Sequence, residues 1–315
     1  MATNLAGTGQ ALDTSLPTIY TEFRLLRDAT GVARKCATKM KLDPHTGTSK
    51  NVLNYGRLLA YSLSDGVDMA QAQALADTNT AYTPAEVGVQ VLLPWTTLRR
   101  VADPSLLRRT GRMMNNAYDL KEDSDGVAQF PSFTPIVGAA TTVLGLGHAL
   151  AALARIGIGN DRTNPEPAPK PHHVILHDLQ LALMASRLAN LAASQVGDAS
   201  ISDGVYGGQI APGGAIPLGN DFLRGGPQAV GHLFGADFYP DANIVIDSSD
   251  DGSGAAFSQE SLIYITEEEP RMLPDETDQS LRAVELNLVG SYVWGLYRAS
   301  NYGCEILGSA VLPTS

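Results

Sequence analysis

Cysteine and charge are both scarce in this sequence, and each scarcity excludes a class of protein. Two cysteines in 315 residues rule out a disulfide framework and a zinc site with four cysteine ligands. Charged residues make up only 17% of the chain, but the hydrophobic fraction of 44% is normal and excludes global disorder. The length is sufficient for one large domain or two ordinary domains with a substantial core.

Targeting signals and membrane-spanning runs are also lacking. The opening residues MATNLAGTGQALDTSLP contain neither a basic region nor an apolar run, so they do not form a signal peptide. Residues 136–154 contain no Asp, Glu, Lys or Arg, but their threonines, glycines and His148 oppose membrane insertion. The stretch instead predicts an amphipathic helix of a protein made inside the cell, with both thiols free and no membrane partner. Its apolar face consists of Val143, Leu146, Leu150 and Leu153.

The charge is divided unevenly along the chain, although the total is −11. Residues 1–112 contain 13 Lys and Arg against 9 Asp and Glu, a balance of +4. Residues 113–315 contain 9 against 24, a balance of −15, and this acidic excess argues against a surface that coats nucleic acid throughout. The division is typical of a chain that attracts copies of itself or turns opposite faces to different partners; chance distribution of solvated charge gives the same pattern.

The first half of the chain predicts an arm, a long excursion and a long helix. Residues 1–18 are small and polar, and residues 19–27 are compatible with a short helix. Two strand-like runs, 51–63 and 82–93, are separated by a polar stretch. Asp103 and Pro104 form a helix start, with an Asp cap and Pro at the first helical position, and the helix runs to about Asp123. Its expected apolar stripe consists of Leu107, Met114, Ala117 and Leu120.

The second half predicts alternating helices and strands. A helix over 143–157 is followed by a Pro-rich linker, 160–171, and by the buried strand HHVILH, after which Asp178 caps another helix. Leu181, Met184, Leu188 and Leu191 lie on one face of that helix. Irregular hairpins are expected over the Gly-rich residues 197–236. Strands are expected over 242–246, 280–295 and 305–312, whereas 257–265 is compatible with either a helix or a strand.

Two features indicate contacts outside a single chain. The excursion over 45–90 carries apolar residues without a core of its own, and loops of that length are usually functional. The long helix carries Arg in its N-terminal half and acidic residues near its C-terminal end, which is the reverse of what the helix macrodipole favours. Each exposed charge placed against the macrodipole costs roughly 0.3–1 kcal/mol within the terminal turns. Opposite charges on a neighbouring copy would compensate, and hydration of the same residues is the alternative.

The sequence contains only weak motifs for catalysis or metal binding. His172, His173 and His177 fall within six residues, but zinc needs further ligands from elsewhere. The run DSSDDG from Asp247 resembles the opening of a calcium loop, but Ser258 stands where the bidentate Glu belongs. The sequence contains no P-loop and no nucleophile elbow, and Cys36 and Cys304 have no motif context. We therefore assign no catalytic residue, metal ligand or cofactor.

The order of the segments resembles that of the major capsid proteins of tailed bacteriophages, which have the Hong Kong 97-like fold. The resemblance covers nearly the whole chain in element order. Its most specific pieces are YTPAEVGVQVLL leading into the long helix, ILHDLQ, and GAAFSQESL before the final strands. It implies an α+β fold with an N-arm (1–40), an E-loop (41–92), a P-domain (93–160 and 280–315) whose spine is the long helix, and an A-domain (161–279).

The resemblance also implies a function and partners. We expect a non-enzymatic shell protein that assembles in the host cytoplasm into hexamers and pentamers of a virion and encloses double-stranded DNA. No long scaffolding segment precedes the arm, so a scaffold, like decoration and portal proteins, is expected to be a separate protein. An encapsulin-like compartment shell and, from a different class, a metal-dependent enzyme built on the three histidines are the alternatives. The residues expected to contact neighbouring subunits are Arg34, Lys35, Lys39, Lys41, Lys50, Arg57, Arg99, Arg100, Arg108, Arg109, Arg112, Asp119, Glu122 and Asp123.

Overall fold

The computed structural model describes residues 31–43, 45, 47–56, 58, 60–62, 65, 73–75, 77–100, 106–159, 166–184, 231–273, 276–278 and 280–311, which form a mixed α+β fold. The helices are α1 (Ala33–Cys36), α2 (Trp95–Arg100), α3 (Leu106–Val127), α4 (Leu146–Ile158), α5 (described over 178–184) and α6 (Ala299–Tyr302), with a 3-10 turn at Phe130–Ser132. The strands are β1 (Thr38–Lys41), β2 (Lys50–Tyr55), β3 (Asp77–Tyr82), β4 (Ala85–Pro94), β5 (Ile136–Gly138), β6 (His172–Leu176), β7 (Gly231–Leu233), β8 (Ala236–Pro240), β9 (Asp251–Ser258), β10 (Leu262–Met272), β11 (Glu276–Asp278), β12 (Ala283–Leu296) and β13 (Gly303–Ser309).

The first sheet is built around the long strand β12. Strand β10 and then β11 pair antiparallel with one edge of β12, β4 pairs antiparallel with the other edge, and β1 lies parallel outside β10. Because successive side chains alternate between the faces of a strand, Tyr292 and Trp294 lie on one face, and Val293 and Gly295 lie on the other. Different elements of the chain therefore pack on the two faces of this sheet.

Helix α3 packs against the face that carries Tyr292 and Trp294. Met114 and Tyr118 are buried there, and the Trp294 indole N–H donates to the Glu122 carbonyl oxygen at 2.9 Å. The buried side of the helix advances by four residues, from Met114 through Tyr118 and Glu122 to Gly126, where a Cβ would collide with the Trp294 ring. The prediction that Ala117 and Leu120 belong to the buried stripe was wrong, since both are exposed.

The second sheet has the strand order β5, β13, β9, β6, β8 and β7. Every residue of β6 is buried, because β8 and β9 pair with its two edges and both faces are covered. Helices α4 and α5 cover one face, and the aromatic group of Phe130, Phe133 and Phe257 on the other joins the core beneath α3. The two sheets thus share one continuous core.

Most of the predicted elements are present with shifted ends. The long helix, the helix before the Pro-rich segment, the HHVILH strand with its following helix, and the last two strands are confirmed. The ambiguous region 257–265 is extended, with β9 ending at Ser258 and β10 starting at Leu262. The strand predicted over 242–246 was wrong: only Ile246 makes an isolated bridge, and Val245 is 78% exposed. The predicted helix over 19–27, the Asp103 cap, Leu188, Leu191 and most of 197–236 lie outside the described residues.

The described part of the Pro-rich segment packs against α4. The amides of Glu166 and Ala168 donate to the carbonyl oxygens of Ile158 and Ile156 and so satisfy groups at the helix end. The sheets do not follow the predicted division into domains, because the second sheet joins β5 and β13 to β6, β8 and β9. The division itself stays a prediction.

Candidate assembly interface

A two-stranded hairpin and the connection between its strands carry several large exposed apolar side chains. Strands β2 and β3, which we call the hairpin, pair in register from Lys50 with Tyr82 to Tyr55 with Asp77, and no further strand joins them among the described residues. Isolated two-stranded hairpins are at best marginally stable in water. Large apolar side chains on the hairpin and the connection between its strands are 47–63% exposed: Leu53, Tyr55, Leu58, Tyr61 and Leu75.

The base of the hairpin, where Lys50 pairs with Tyr82, packs on the face of the first sheet opposite α3. Val52 and Tyr82 pack with Ile263, Ile265 and Val293 in a small cluster. The Tyr82 hydroxyl donates to the Leu296 carbonyl oxygen at 2.7 Å. The hairpin and the long helix therefore lie on opposite faces of one sheet.

Arg298 ties the hairpin to the end of β12. Its Nε donates to Asn54 Oδ1 and its Nη2 donates to the Tyr55 carbonyl oxygen, both at 2.7 Å. Its guanidinium also pairs with Glu166, so one side chain joins three separate segments. Arg298 adopts the left-handed backbone conformation, with φ of 47°, which is unusual for a residue with a Cβ. Sequence analysis missed this residue, since a single Arg in YRASNYG carries no recognisable signal.

The predicted contact residues outside the helix are mostly at the surface. Lys39 and Lys41 share one exposed side of the edge strand β1, and Lys35 precedes them on α1. Arg99 and Arg100 are exposed at the end of α2, and Lys50 at the start of β2 is half-buried. Arg57 lies outside the described residues. These positions bring several positive charges to the surface of the first sheet and its flanking elements.

The predicted contact residues on α3 fall into two groups. Arg109 is half-buried, Arg112 and Asp119 are exposed, and the side chain of Arg108 lies outside the described part of the chain. Glu122 and Asp123, in contrast, are 3% and 4% exposed. Arg109, Arg112 and Asp119 thus lie at least partly at the surface of the subunit, whereas the side chains of Glu122 and Asp123 are buried within it.

Arg34, Glu122 and Asp123 have close partners inside the chain. The Arg34 guanidinium lies 3.1 Å from Glu122, contacts Glu269 at 3.3 Å and stacks on the Tyr264 ring. Burial raises the pKa of Glu122, and the charge of Arg34 opposes that shift. Asp123 Oδ1 accepts the Ala33 amide at 3.0 Å. The acidic end of α3 is therefore compensated within the subunit, and the assignment of Arg34, Glu122 and Asp123 to the contact set stays a prediction.

The three histidines are engaged separately. His172 Nε2 lies 3.2 Å from the Ala168 carbonyl oxygen, and His177 Nδ1 accepts the Leu179 amide at 3.1 Å. The His173 ring packs on that of Tyr239, and burial lowers its pKa. Within the described ranges, no group of three or more His, Cys, Asp or Glu side chains could hold a metal ion. The geometry therefore gives no support to a metal-dependent enzyme built on these residues.

The acidic run from Asp247 is a turn closed by its own backbone. Asp247 Oδ1 accepts the amides of Ser249 and Asp251 at 2.8 and 2.9 Å. Asp251 Oδ1 accepts the Thr141 amide at 2.7 Å. The run therefore forms an acidic turn. The two thiols are free and buried, and burial raises the pKa of Cys304 to about 11.

The search for membrane spans and the sequence comparisons gave negative results. None of the described helices is long and apolar enough to cross a membrane. No family model matches the sequence, and neither does any curated protein.

Comparison with solved structures identifies similar folds. The capsid of Ralstonia phage GP4 matches with a TM-score of 0.63 at 11% identity, over 100% of each chain. A chain of Mycobacterium phage Che8 matches with a TM-score of 0.62 at 14% identity, over 90% of this chain and 94% of that one. The capsid of the native GTA particle matches with a TM-score of 0.61 at 10% identity, over 98% and 100%. The chain therefore has the α+β fold of these capsid structures.

Proposed function

We propose that the protein is a major capsid protein that assembles into the icosahedral head of a tailed bacteriophage and encloses double-stranded DNA. The observation that carries this proposal is the likeness to the Ralstonia phage GP4 capsid over the full length of both chains. A function belongs to the surfaces and sites that a fold carries. The exposed hairpin supplies the surface that assembly needs.

The proposed parts of the shell protein follow the Hong Kong 97-like order. Residues 1–40 serve as the N-arm, 41–92 as the E-loop, 93–160 with 280–315 as the P-domain and 161–279 as the A-domain. The hairpin belongs to the E-loop, and α3 is the spine helix. The subunits form hexamers and pentamers, with separate scaffolding, decoration and portal proteins as further partners, and the protein has no catalytic role.

The apolar side chains of the hairpin support a contact with a neighbouring subunit. Leu53 and Tyr55 are 48% and 53% exposed, although Tyr82 and Arg298 hold the hairpin to the end of β12. Fully burying an exposed apolar side chain is worth about 1.5–3 kcal/mol, so burial of the exposed half of one such side chain stabilises the contact by roughly 1 kcal/mol. Obligate interfaces are more hydrophobic than transient ones, and a projecting hairpin adds area to them efficiently.

The positive charges around the first sheet supply a second part of the contact. The proposed set comprises Lys35, Lys39, Lys41, Lys50, Arg57, Arg99, Arg100, Arg108, Arg109, Arg112 and Asp119. Most of them lie in the basic first third of the chain, and acidic residues dominate the remainder. Charge complementarity of this kind sets the register and rate of association more than its affinity.

Electron microscopy of the purified full-length protein, with native mass spectrometry, tests the proposal. We expect closed shells tens of nanometres across, or hexameric and pentameric rings as their building units. A protein that stays monomeric at high concentration would contradict the proposal. Shells formed in cells that enclose a specific protein cargo and no DNA would point instead to a compartment shell.

A further inference from the structure

Two buried carboxylates from distant parts of the chain meet beside the start of α1. Asp123 on α3 and Asp241 after β8 are 4% and 1% exposed. Asn243 joins them, since its backbone N–H donates to Asp241 Oδ1 at 2.9 Å and its side-chain Nδ2 donates to Asp123 Oδ2 at 2.7 Å. The pair is thus held in a fixed geometry.

The same two carboxylates hold the backbone at the point where the N-terminal segment enters the described fold. The Ala33 amide donates to Asp123 Oδ1 at 3.0 Å, and the Val32 amide donates to Asp241. Gly31 lies directly against the Asp123 side chain, and a Cβ at this position would overlap that carboxyl group. Attachment of residues 31–33 therefore depends on the protonation and position of the two carboxyl groups.

When both carboxyl groups are ionised, neither can donate a hydrogen bond to the other, and one buried oxygen of the pair is left without a donor in the described part of the chain. Asp241 Oδ2 is buried and has no donor among the described residues, although Asp241 and Asp123 are close enough to share a hydrogen bond. Such a bond needs a proton on one of the two carboxyls. Burial first, and then the charge of Asp123, raise the pKa of Asp241 to about 8.

The elements packed around the pair contribute both acidic and basic groups. The packed elements contribute Lys35 and Cys36 from α1, Asp237 from β8 and Glu122 from α3, and Glu122 is already paired with Arg34. Cys36 is buried, and its pKa lies well above the usual range because of burial and then the nearby carboxylates. Lys35 lies on the exposed side of α1.

We propose that Asp123 and Asp241 form a proton-dependent clasp: one shared proton keeps the Val32 and Ala33 amides attached, and its loss in alkaline solution releases residues 31–37. The clasp is a property of a single subunit and does not depend on the proposed function. The folded subunit binds one more proton than the unfolded chain from the ordinary range of Asp up to about pH 8. The contribution of the pair to stability therefore falls as the pH rises through this window.

Hydrogen–deuterium exchange on the full-length protein tests the clasp. After correction for the intrinsic exchange rate, we expect the protection of the amides of 32–37 to fall about tenfold between about pH 7 and about pH 9. Peptides from β13 in the same sample should keep their protection and serve as the internal control. Unchanged protection of 32–37 in the wild-type protein would overturn the proposal.

Asp241→Asn is the decisive variant, because Asn keeps the size of Asp and its side-chain amide can donate to Asp123 without a titrating proton. We expect residues 32–37 of this variant to stay protected at both pH values, and a fall equal to that of the wild type would refute the clasp. If this variant does not fold, alkylation of the wild-type protein decides, with buried Cys304 as reference for buried Cys36. The Cys36-to-Cys304 labelling ratio should rise about tenfold with pH, and a constant ratio would overturn the proposal.

Discussion

The ring of Tyr82 on the hairpin lies over Gly295 of β12, so closely that a Cβ at Gly295 would overlap the ring. Glycine at this position is what lets the base of the hairpin rest on the sheet. The Tyr82 hydroxyl completes the contact by donating to the Leu296 carbonyl oxygen. The missing side chain at Gly295 and this hydrogen bond thus help to position the base of the hairpin on the sheet.

Gly295→Ala should displace the base of the hairpin and lower the stability of the protein by about 1–3 kcal/mol, the usual cost of overpacking. Urea unfolding measures the stability, and exchange of the β2 and β3 amides measures the displacement. Gly147→Ala in α4 is the matched control, because a Cβ there meets nothing within 4 Å. This control should stabilise the protein slightly, since alanine favours a helix interior over glycine. Equal effects of the two substitutions would contradict the packing argument.

Two substitutions at Arg298 separate its side-chain role from its backbone conformation. Both Arg298→Ala and Arg298→Gly remove the hydrogen bonds to Asn54 and Tyr55, so both should increase exchange of the hairpin amides. The glycine variant should be more stable than the alanine variant by about 1 kcal/mol, because glycine adopts a φ of 47° without strain. Thermal unfolding of the two variants checks the difference. Alanine as the more stable variant would show that φ relaxes in solution.

Arg34→Met should lower stability at neutral pH by about 1–3 kcal/mol, because it leaves the buried Glu122 carboxylate without its partner. The loss is smaller than for a fully buried pair, since the Arg34 side chain is 35% exposed. Without Arg34 the pKa of Glu122 rises further, so the deficit should shrink as the pH is lowered and Glu122 takes up a proton. Arg34→Met with Glu122→Gln should recover part of the loss at pH 7, and a deficit independent of pH would contradict this account.

Charge reversal on β1 tests the proposed contact between subunits. Lys39→Glu with Lys41→Glu should impair the formation of shells or capsomers while leaving the circular dichroism of the subunit unchanged, because both side chains are exposed. Sedimentation at low and high salt measures assembly. Lys41→Glu alone should weaken assembly more than Lys170→Glu, an exposed reversal of the same size elsewhere on the chain. Normal particles from the double variant would remove β1 from the proposed interface.

The elements with strong local signals could be predicted from the sequence, and the pairings between them could not. Alternating apolar residues predicted β12 and the apolar run predicted β6, because these patterns reflect burial directly. The partner of Glu122 stands 88 residues away at Arg34, and that of Asp123 stands 90 residues away at Ala33. Local sequence therefore showed acidic residues at an unfavourable helix end without showing what neutralises them.

Errors in the predicted side-chain exposure have a similar cause. The stripe assigned to α3 counted only aliphatic residues, whereas the buried side of that helix includes the Tyr118 ring and the Glu122 carboxylate. The short apolar run 242–246 lacks a paired neighbour over most of its length, and Val245 is left in solvent. Arg298 and Asp241 could not be found at all, since their importance depends on a backbone angle and on a partner from another element.

The placement of the hairpin and α3 on opposite faces of one sheet has a mechanical consequence. A pull on the hairpin along the strand direction passes through Arg298 and Tyr82 into the end of β12. Because β10 and β4 flank β12 on its two edges, such a pull loads those ladders in shear, with many hydrogen bonds sharing the force at once. Three hydrogen bonds from Arg298 and Tyr82 carry the same force into β12, so the attachment of the hairpin would yield before the sheet that carries it.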